Sequence, residues 1–161
     1  MATINKNLSA VGDLPAISPD WTFAIVKAEW NDEITSGLYD GAIELLLTSG
    51  VAPENIHTME VPGSFELPLG AQWAIERYEV DAVICLGSVI RGETAHFDYV
   101  CQAVSLGIKD VSLEYNLPVI FGVLTDNNIE QSRARSGGKH GNKGTEAAAT
   151  AVKMLALRDG A

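Results

Sequence analysis

Apolar positions recur along this chain in two rhythms that take turns. Short runs that are apolar almost throughout alternate with longer stretches in which apolar residues return every three or four positions. "TFAIVKA" (residues 22–28) predicts a strand. The stretch after it sets Ile34, Leu38, Gly41, Ala42, Leu45 and Leu46 at helical spacing, with Gly50 as a stop. "NIHTMEV" (55–61) predicts a second strand. Beyond "PGS", the positions Leu67, Ala71, Ala74, Ile75 and Tyr78 form one helical face. Pro68 falls in the first turn of that helix, where a missing N–H does little harm. "VDAVICLG" (80–87) has the unbroken apolar character of a strand covered on both faces. Val100, Ala103, Val104, Gly107, Ile108 and Val111 make a third helical stripe, and "LPVIFGVLT" (117–125) a fourth strand. "NNIEQSRARSGG" reads as a short helix ending at glycine. "KGTEAAATAVKMLAL" closes the chain as a helix with Ala147, Ala148, Ala151, Val152 and Leu155 on one face, small enough for close packing.

Four strands separated by helices give the order β-α-β-α-β-α-β-α-α. Each crossover is long enough for a right-handed parallel connection. The pattern therefore predicts a three-layer α/β/α sandwich around a four-stranded parallel, flavodoxin-like sheet. Residues 21–161 form one domain in this reading, and residues 1–20, with Pro15 and Pro19, an extended N-terminal arm. Such an arm is either a disordered tail or a strap across another subunit.

Composition narrows the partners. Hydrophobic residues make up 47% and charged residues 20%, the mix of a packed domain rather than a disordered tail. No apolar stretch approaches the ~20 residues that span a bilayer, and no basic-then-apolar leader is visible, so a cytoplasmic location is expected. Eleven Lys+Arg against 21 Asp+Glu leave a net charge of −10, which argues against nucleic acid or an anionic membrane as partner. An anionic substrate would need a local basic site. Cys85 and Cys101 match no zinc spacing and read as buried reduced thiols.

In an open α/β sheet, ligands bind beyond the carboxyl ends of the strands. Four stretches fall there, each richer in polar or aromatic residues than a turn requires. In "EWND", Trp30 taken alone reads as a core-edge aromatic; the alternative is a stacking plate for a flat heterocycle, with Asn31 offering amide contacts. In "PGSFE", Ser64 suits an N-cap and Glu66 the helix dipole, or free N–H groups and a carboxylate could grip a polyhydroxylated chain. "RGETAHFDY" combines a glycine, free N–H donors at a helix start and His96. It is either a loop capped by an Arg91–Asp98 pair or a phosphate cradle with a proton carrier beside it. His57 lies inside a strand and His140 in a glycine-rich, solvated loop. "RARSGGKHGNKGT" gathers Arg133, Arg135, Lys139 and Lys143, the strongest basic stretch of an acidic chain. It lacks the Walker spacing. It reads as a flexible surface loop or as an anion site with Arg135 as a planar fork.

The motifs "EWND", "VPGSFELP", "LGSVIRGETAHFDYVC", "PVIFGVLT" and "GNKG" stand in the order and spacing of one family, and the chain resembles the lumazine synthases from about Phe23 to Leu157. The resemblance implies condensation of 5-amino-6-ribitylaminouracil with 3,4-dihydroxy-2-butanone 4-phosphate to 6,7-dimethyl-8-ribityllumazine, releasing phosphate and water. It places Trp30 on the pyrimidine, Asn31, Ser64, Phe65 and Glu66 on the ribityl chain, and Val89 and Ile90 in the ring pocket. Glu93 and Thr94 fall at the phosphate loop, and His96 at the proton-transfer position. Phe121, Arg135 and Lys143 fall where an adjacent subunit contributes, with Arg135 on the phosphate. Trp30 stands where many members have phenylalanine, and the Glu93 carboxylate beside a phosphate leaves only its backbone N–H to serve. No metal or organic cofactor is called for. The implied assembly is a homopentamer, with twelve pentamers forming an icosahedral capsid and riboflavin synthase as an associated partner. A flavin- or lumazine-binding module, or a capsid-forming storage protein of the same fold, remain the alternatives.

Overall fold

The computed structural model describes residues 10–160. The first nine residues of the expected arm lie outside that range. The elements run β1 (Phe23–Ala28), α1 (Asp32–Thr48), β2 (Ile56–Val61), α2 (Leu67–Tyr78), β3 (Ala82–Ile90), α3 (His96–Tyr115), β4 (Val119–Asp126), α4 (Ile129–Arg135), β5 (Ser136–Gly138), β6 (Gly141–Asn142) and α5 (Lys143–Arg158). β1 to β4 form one parallel sheet in the order β2-β1-β3-β4. This is the predicted α/β/α sandwich with its flavodoxin-like sheet.

Side chains alternate across the sheet, as strand pleating demands. Phe23 and Ile25 of β1, with Ala82, Ile84 and Leu86 of β3, pack under α1 and α5. Ala24, Val26 and Ala28, with Val83 and Cys85, pack under α2 and α3. Both layers need both faces covered, which is why β1 and β3 read as continuous apolar runs. The chain leaves β1 toward β2 over one face and returns from β2 to β3 over the other. The strand order thus reverses between β1 and β3, and a crevice opens at their carboxyl ends.

Three expectations need correction. β3 runs to Ile90 rather than ending at Gly87, because β4 continues beside it and pairs Ile90 with Asp126. Ser64 does not cap α2: it sits buried in a short 3₁₀ turn, Ser64–Glu66, and α2 starts after it without a side-chain cap. The basic stretch is no loose loop. It forms the β5–β6 hairpin and lies along α1, where the bare surface at Gly37 and Gly41 receives Ser136 and Asn142. Asn142 donates to the Gly37 carbonyl at 2.7 Å and accepts from the N–H of Gly144 at 2.8 Å, capping α5. His140, in the hairpin turn, is half-buried and donates its N–H to the Ala134 carbonyl.

Residues 10–20 hold no helix or strand, yet Val11, Leu14 and Ile17 pack against the α1/α5 core layer. Lys153 Nζ donates to the Val11 carbonyl at 2.9 Å. Cys85 is buried and Cys101 half-buried, both as free thiols. His57 stacks flat on Tyr78, their ring centres 4.5 Å apart. Among the described residues no helix is long and apolar enough to cross a membrane.

Candidate functional site

The crevice at the ends of β1 and β3 is a cleft of about 680 Å³. Four segments build it. Trp30 and Asn31 follow β1, Gly63 to Glu66 follow β2, Ser88 to Ile90 finish β3, and His96 and Val100 come from the start of α3. Trp30, Asn31, Ser64, Phe65, Glu66, Val89, Ile90 and His96, which belong to separate motifs, therefore line one space.

Each is held there for a local reason. Asn31 takes a left-handed conformation, φ 60°, which asparagine tolerates better than most residues. That turn directs its amide across the cleft base, where Nδ2 donates to the Ser88 carbonyl at 2.9 Å and ties α1 to β3. Trp30 is 73% exposed, so it is no core-edge aromatic; the turn after β1 lifts its indole onto the rim. Phe65 is likewise exposed at the cleft, and Ser64 is buried at its floor. The floor explains Gly87: a Cβ there would stand 2.5 Å from Ser64 Oγ and 2.9 Å from Leu67 Cδ1. Without that glycine the 3₁₀ turn could not close on β3.

Ser88 is a lining residue that the motifs do not single out. Its side chain is buried at the end of β3, and its Oγ has no hydrogen-bond partner. Buried hydroxyls are normally paired. The residue lines the cleft, while its oxygen is closed off from solvent in this structure. Gly63 and Val100 escape sequence reading as well, since a glycine in a turn and an apolar residue in a helical stripe carry no chemical signal.

Glu93 and Thr94 lie in the exposed loop before α3, outside the cleft lining. The His96 N–H points to Thr94 Oγ1 at 3.4 Å, and the imidazole is exposed. The expected Arg91–Asp98 pair is present, at 3.0 Å. Cys101, one turn into α3, has its thiol pushed up by burial and by the nearby Asp98 carboxylate.

Phe121, Arg135 and Lys143 lie elsewhere. Phe121 and Lys143 line a second hollow of about 360 Å³ beside β4 and α5 that shares no residue with the cleft. Arg135 Nη1 stands 2.7 Å from Glu146 Oε1 and donates to the His140 carbonyl at 2.9 Å. Lys143 Nζ reaches the other oxygen of the same carboxylate at 3.5 Å. Glu146 is not singled out by sequence, although its i,i+3 spacing from Lys143 is visible there. It holds both cations at this edge with their charge only partly cancelled. The chain thus carries two surfaces, a cleft with aromatic, amide and hydroxyl groups and a basic edge, that share no lining residue.

The profile of the 6,7-dimethyl-8-ribityllumazine synthase family matches residues 20–159. The 6,7-dimethyl-8-ribityllumazine synthase of Cytophaga hutchinsonii is 59% identical over 157 residues, 97% of this chain and 98% of that protein. Its namesakes in Christiangramia forsetii and Flavobacterium johnsoniae are 55% and 54% identical, covering 98% of this chain in both cases and 95% and 84% of their own lengths.

Proposed function

The chain belongs to the 6,7-dimethyl-8-ribityllumazine synthase family, and from that membership we propose how its two surfaces share the work. The protein is a transferase of riboflavin biosynthesis. It condenses 5-amino-6-(D-ribitylamino)uracil with 3,4-dihydroxy-2-butanone 4-phosphate to 6,7-dimethyl-8-ribityllumazine and releases phosphate and water.

The observation that carries the site assignment is the cleft itself: an exposed indole at the rim, with Asn31, Ser64 and Glu66 brought together from separate elements. The pyrimidine stacks on Trp30 against Val89 and Ile90. The ribityl hydroxyls bond to Ser64, Glu66, Asn31, the backbone at Phe65 and, once its side chain turns into the cleft, Ser88. The phosphate lies over the loop at Glu93 and Thr94, where the α3 N-terminus favours an anion. The arylamine attacks the ketone and loses one water to give an imine, phosphate leaves, the second amine closes the ring and a second water is lost. Each step moves a proton, and His96 relays it. Amine and ketone react readily once aligned, so positioning supplies much of the acceleration.

Arg135, Lys143 and Phe121 complete the pocket of a neighbouring copy, with Arg135 on the phosphate and Phe121 over the ring. Their separation from the cleft within one chain supports this. Leu69 and Trp73 of α2, and Leu106 and Leu113 of α3, are exposed, which supports burial against further copies. The assembly is a homopentamer. With no insertion between the last two helices, twelve pentamers close into an icosahedral capsid that associates with riboflavin synthase. Two free thiols suit a reducing cytoplasm.

Mixing tests the shared site. At low concentrations of the phosphorylated ketone, Glu66→Ala subunits and Arg135→Ala subunits, denatured together and refolded, form product faster than either pure preparation, because some pockets then combine two intact halves. No recovery in verified mixed rings overturns the assignment. Within pure preparations, His96→Ala slows turnover without abolishing it, whereas Arg135→Ala chiefly raises KM for the phosphorylated ketone.

A further inference from the structure

Arg91 is a residue of the "RGETAHFDY" cluster that the reaction leaves without a task. Its backbone N–H donates to the Asp126 carbonyl at 2.9 Å, fixing where β3 ends. Its side chain then makes three contacts beyond the loop of residues 92–95. Nη2 donates to Asp98 Oδ1 at 3.0 Å. The guanidinium carbon lies 4.1 Å from the centre of the Phe97 ring. Nε donates to Asn127 Oδ1 at 3.2 Å, in the connection between β4 and α4.

These contacts bracket the loop. Arg91 precedes it, and Phe97 and Asp98 follow it as the second and third residues of α3. The loop has little else to hold it. All of residues 92–96 are exposed, and a Cβ placed on Gly92 would meet nothing within 4 Å. A loop with few packed contacts is soft unless its ends are tied. Phe97 is buried and offers a fixed plate, so the guanidinium is located by packing as well as by charge.

We propose that Arg91 is a positioning residue for the reaction: its guanidinium ties the two ends of the 92–95 loop and thereby sets where the loop N–H groups, Thr94 and the His96 imidazole stand. The proposal rests on the assignment of this loop as the phosphate site. An exposed ion pair alone would contribute little. The stacking on Phe97 and the two separate acceptors are what a planar guanidinium can satisfy together. An ammonium, a point charge on a flexible stem, cannot.

Steady-state kinetics of full-length Arg91→Lys and Arg91→Met, with both substrates varied, test it, alongside thermal denaturation and assembly mass. We expect kcat/KM for the phosphorylated ketone to fall by about 10- to 100-fold in both variants, with KM for the ribitylaminouracil held within about twofold. That asymmetry arises because Trp30, Asn31, Ser64 and Glu66 hang from other elements. Lysine, which keeps the charge, should not rescue. Unchanged kinetics for either variant overturn the proposal. So does a parallel rise in both KM values with a lowered midpoint, which would mark a general structural role. Thr94→Ala and Arg135→Ala separate the phosphate site from the tie. If neither raises KM for the phosphorylated ketone, the phosphate assignment fails and the proposal falls with it. If they do and Arg91→Lys does not, the tie alone fails.

Discussion

Single residues decide what the cleft can hold. Ser88 shows this most directly, since its Oγ is buried and unpaired in the empty protein, and the proposed site gives it the ribityl chain as a partner once the side chain turns into the cleft. Ser88→Ala removes a polar atom that gains nothing in the empty protein, so the denaturation midpoint should stay or rise slightly. KM for the ribitylaminouracil should rise by about fivefold, the equivalent of one hydrogen bond worth about 1 kcal/mol. A variant that lost stability and kept its KM would show that the hydroxyl serves the fold and not the substrate. Much at this scale is legible in the sequence. Trp30, Asn31, Ser64, Phe65, Glu66, Val89, Ile90 and His96 stand out by residue type beside strand ends, and all line one cleft. Ser88 and Glu146 do not, because a serine in an apolar strand and a glutamate in an alanine-rich helix look ordinary until their surroundings are known.

Elements meet at distances that their smallest residues set. α5 crosses α1 at Gly144, where an added Cβ would run into the Leu38 carbonyl. The same crossing is tied by Thr145 Oγ1 donating to the Gly41 carbonyl at 3.1 Å and by Asn142 donating to that of Gly37. Gly144→Ala must push two helices apart, so urea denaturation should show a loss of about 1–3 kcal/mol or more. Because Lys143, Arg135 and Glu146 ride on the same junction, KM for the phosphorylated ketone should rise with it. Stability equal to the parent would mean that the crossing has room to spare. The alanine-rich helix and its close approach can be read from sequence. The hairpin between α4 and α5 cannot, since "SGGKHGNKG" lacks strand formers, and its order comes from the groove at Gly37 and Gly41 that α1 presents.

At the scale of the whole molecule, surface carboxylates pin distant segments and make stability depend on pH. Hydrogen bonds from Lys27 and then Ser36 hold Asp32 below its ordinary value. Arg133 does the same for Glu33, joining α4 to the first turn of α1. The Tyr115 hydroxyl, and then Gln72, lower Glu76 between α3 and α2, and Arg158 with Trp21 lowers Asp159. A carboxyl depressed in the fold binds its proton less readily than in the unfolded chain. Its stabilisation is therefore complete above the ordinary carboxylate range, about pH 4, and is lost as pH falls through the depressed values. Urea midpoints should be level above about pH 5 and fall below about pH 4. Glu33→Gln should flatten that fall, and an unaltered slope would show that Glu33 takes no part in it. The four sheet strands, the five helices, their order, the sandwich and most cleft residues were determined by sequence alone, because periodicity and strand-end chemistry are local properties written in neighbouring positions. Only the tertiary structure decided the strand order that opens the crevice between β1 and β3, the exposure of Trp30, and the separation of the basic edge from the cleft. Those depend on which residues distant in the chain come to lie side by side, and no local pattern records that.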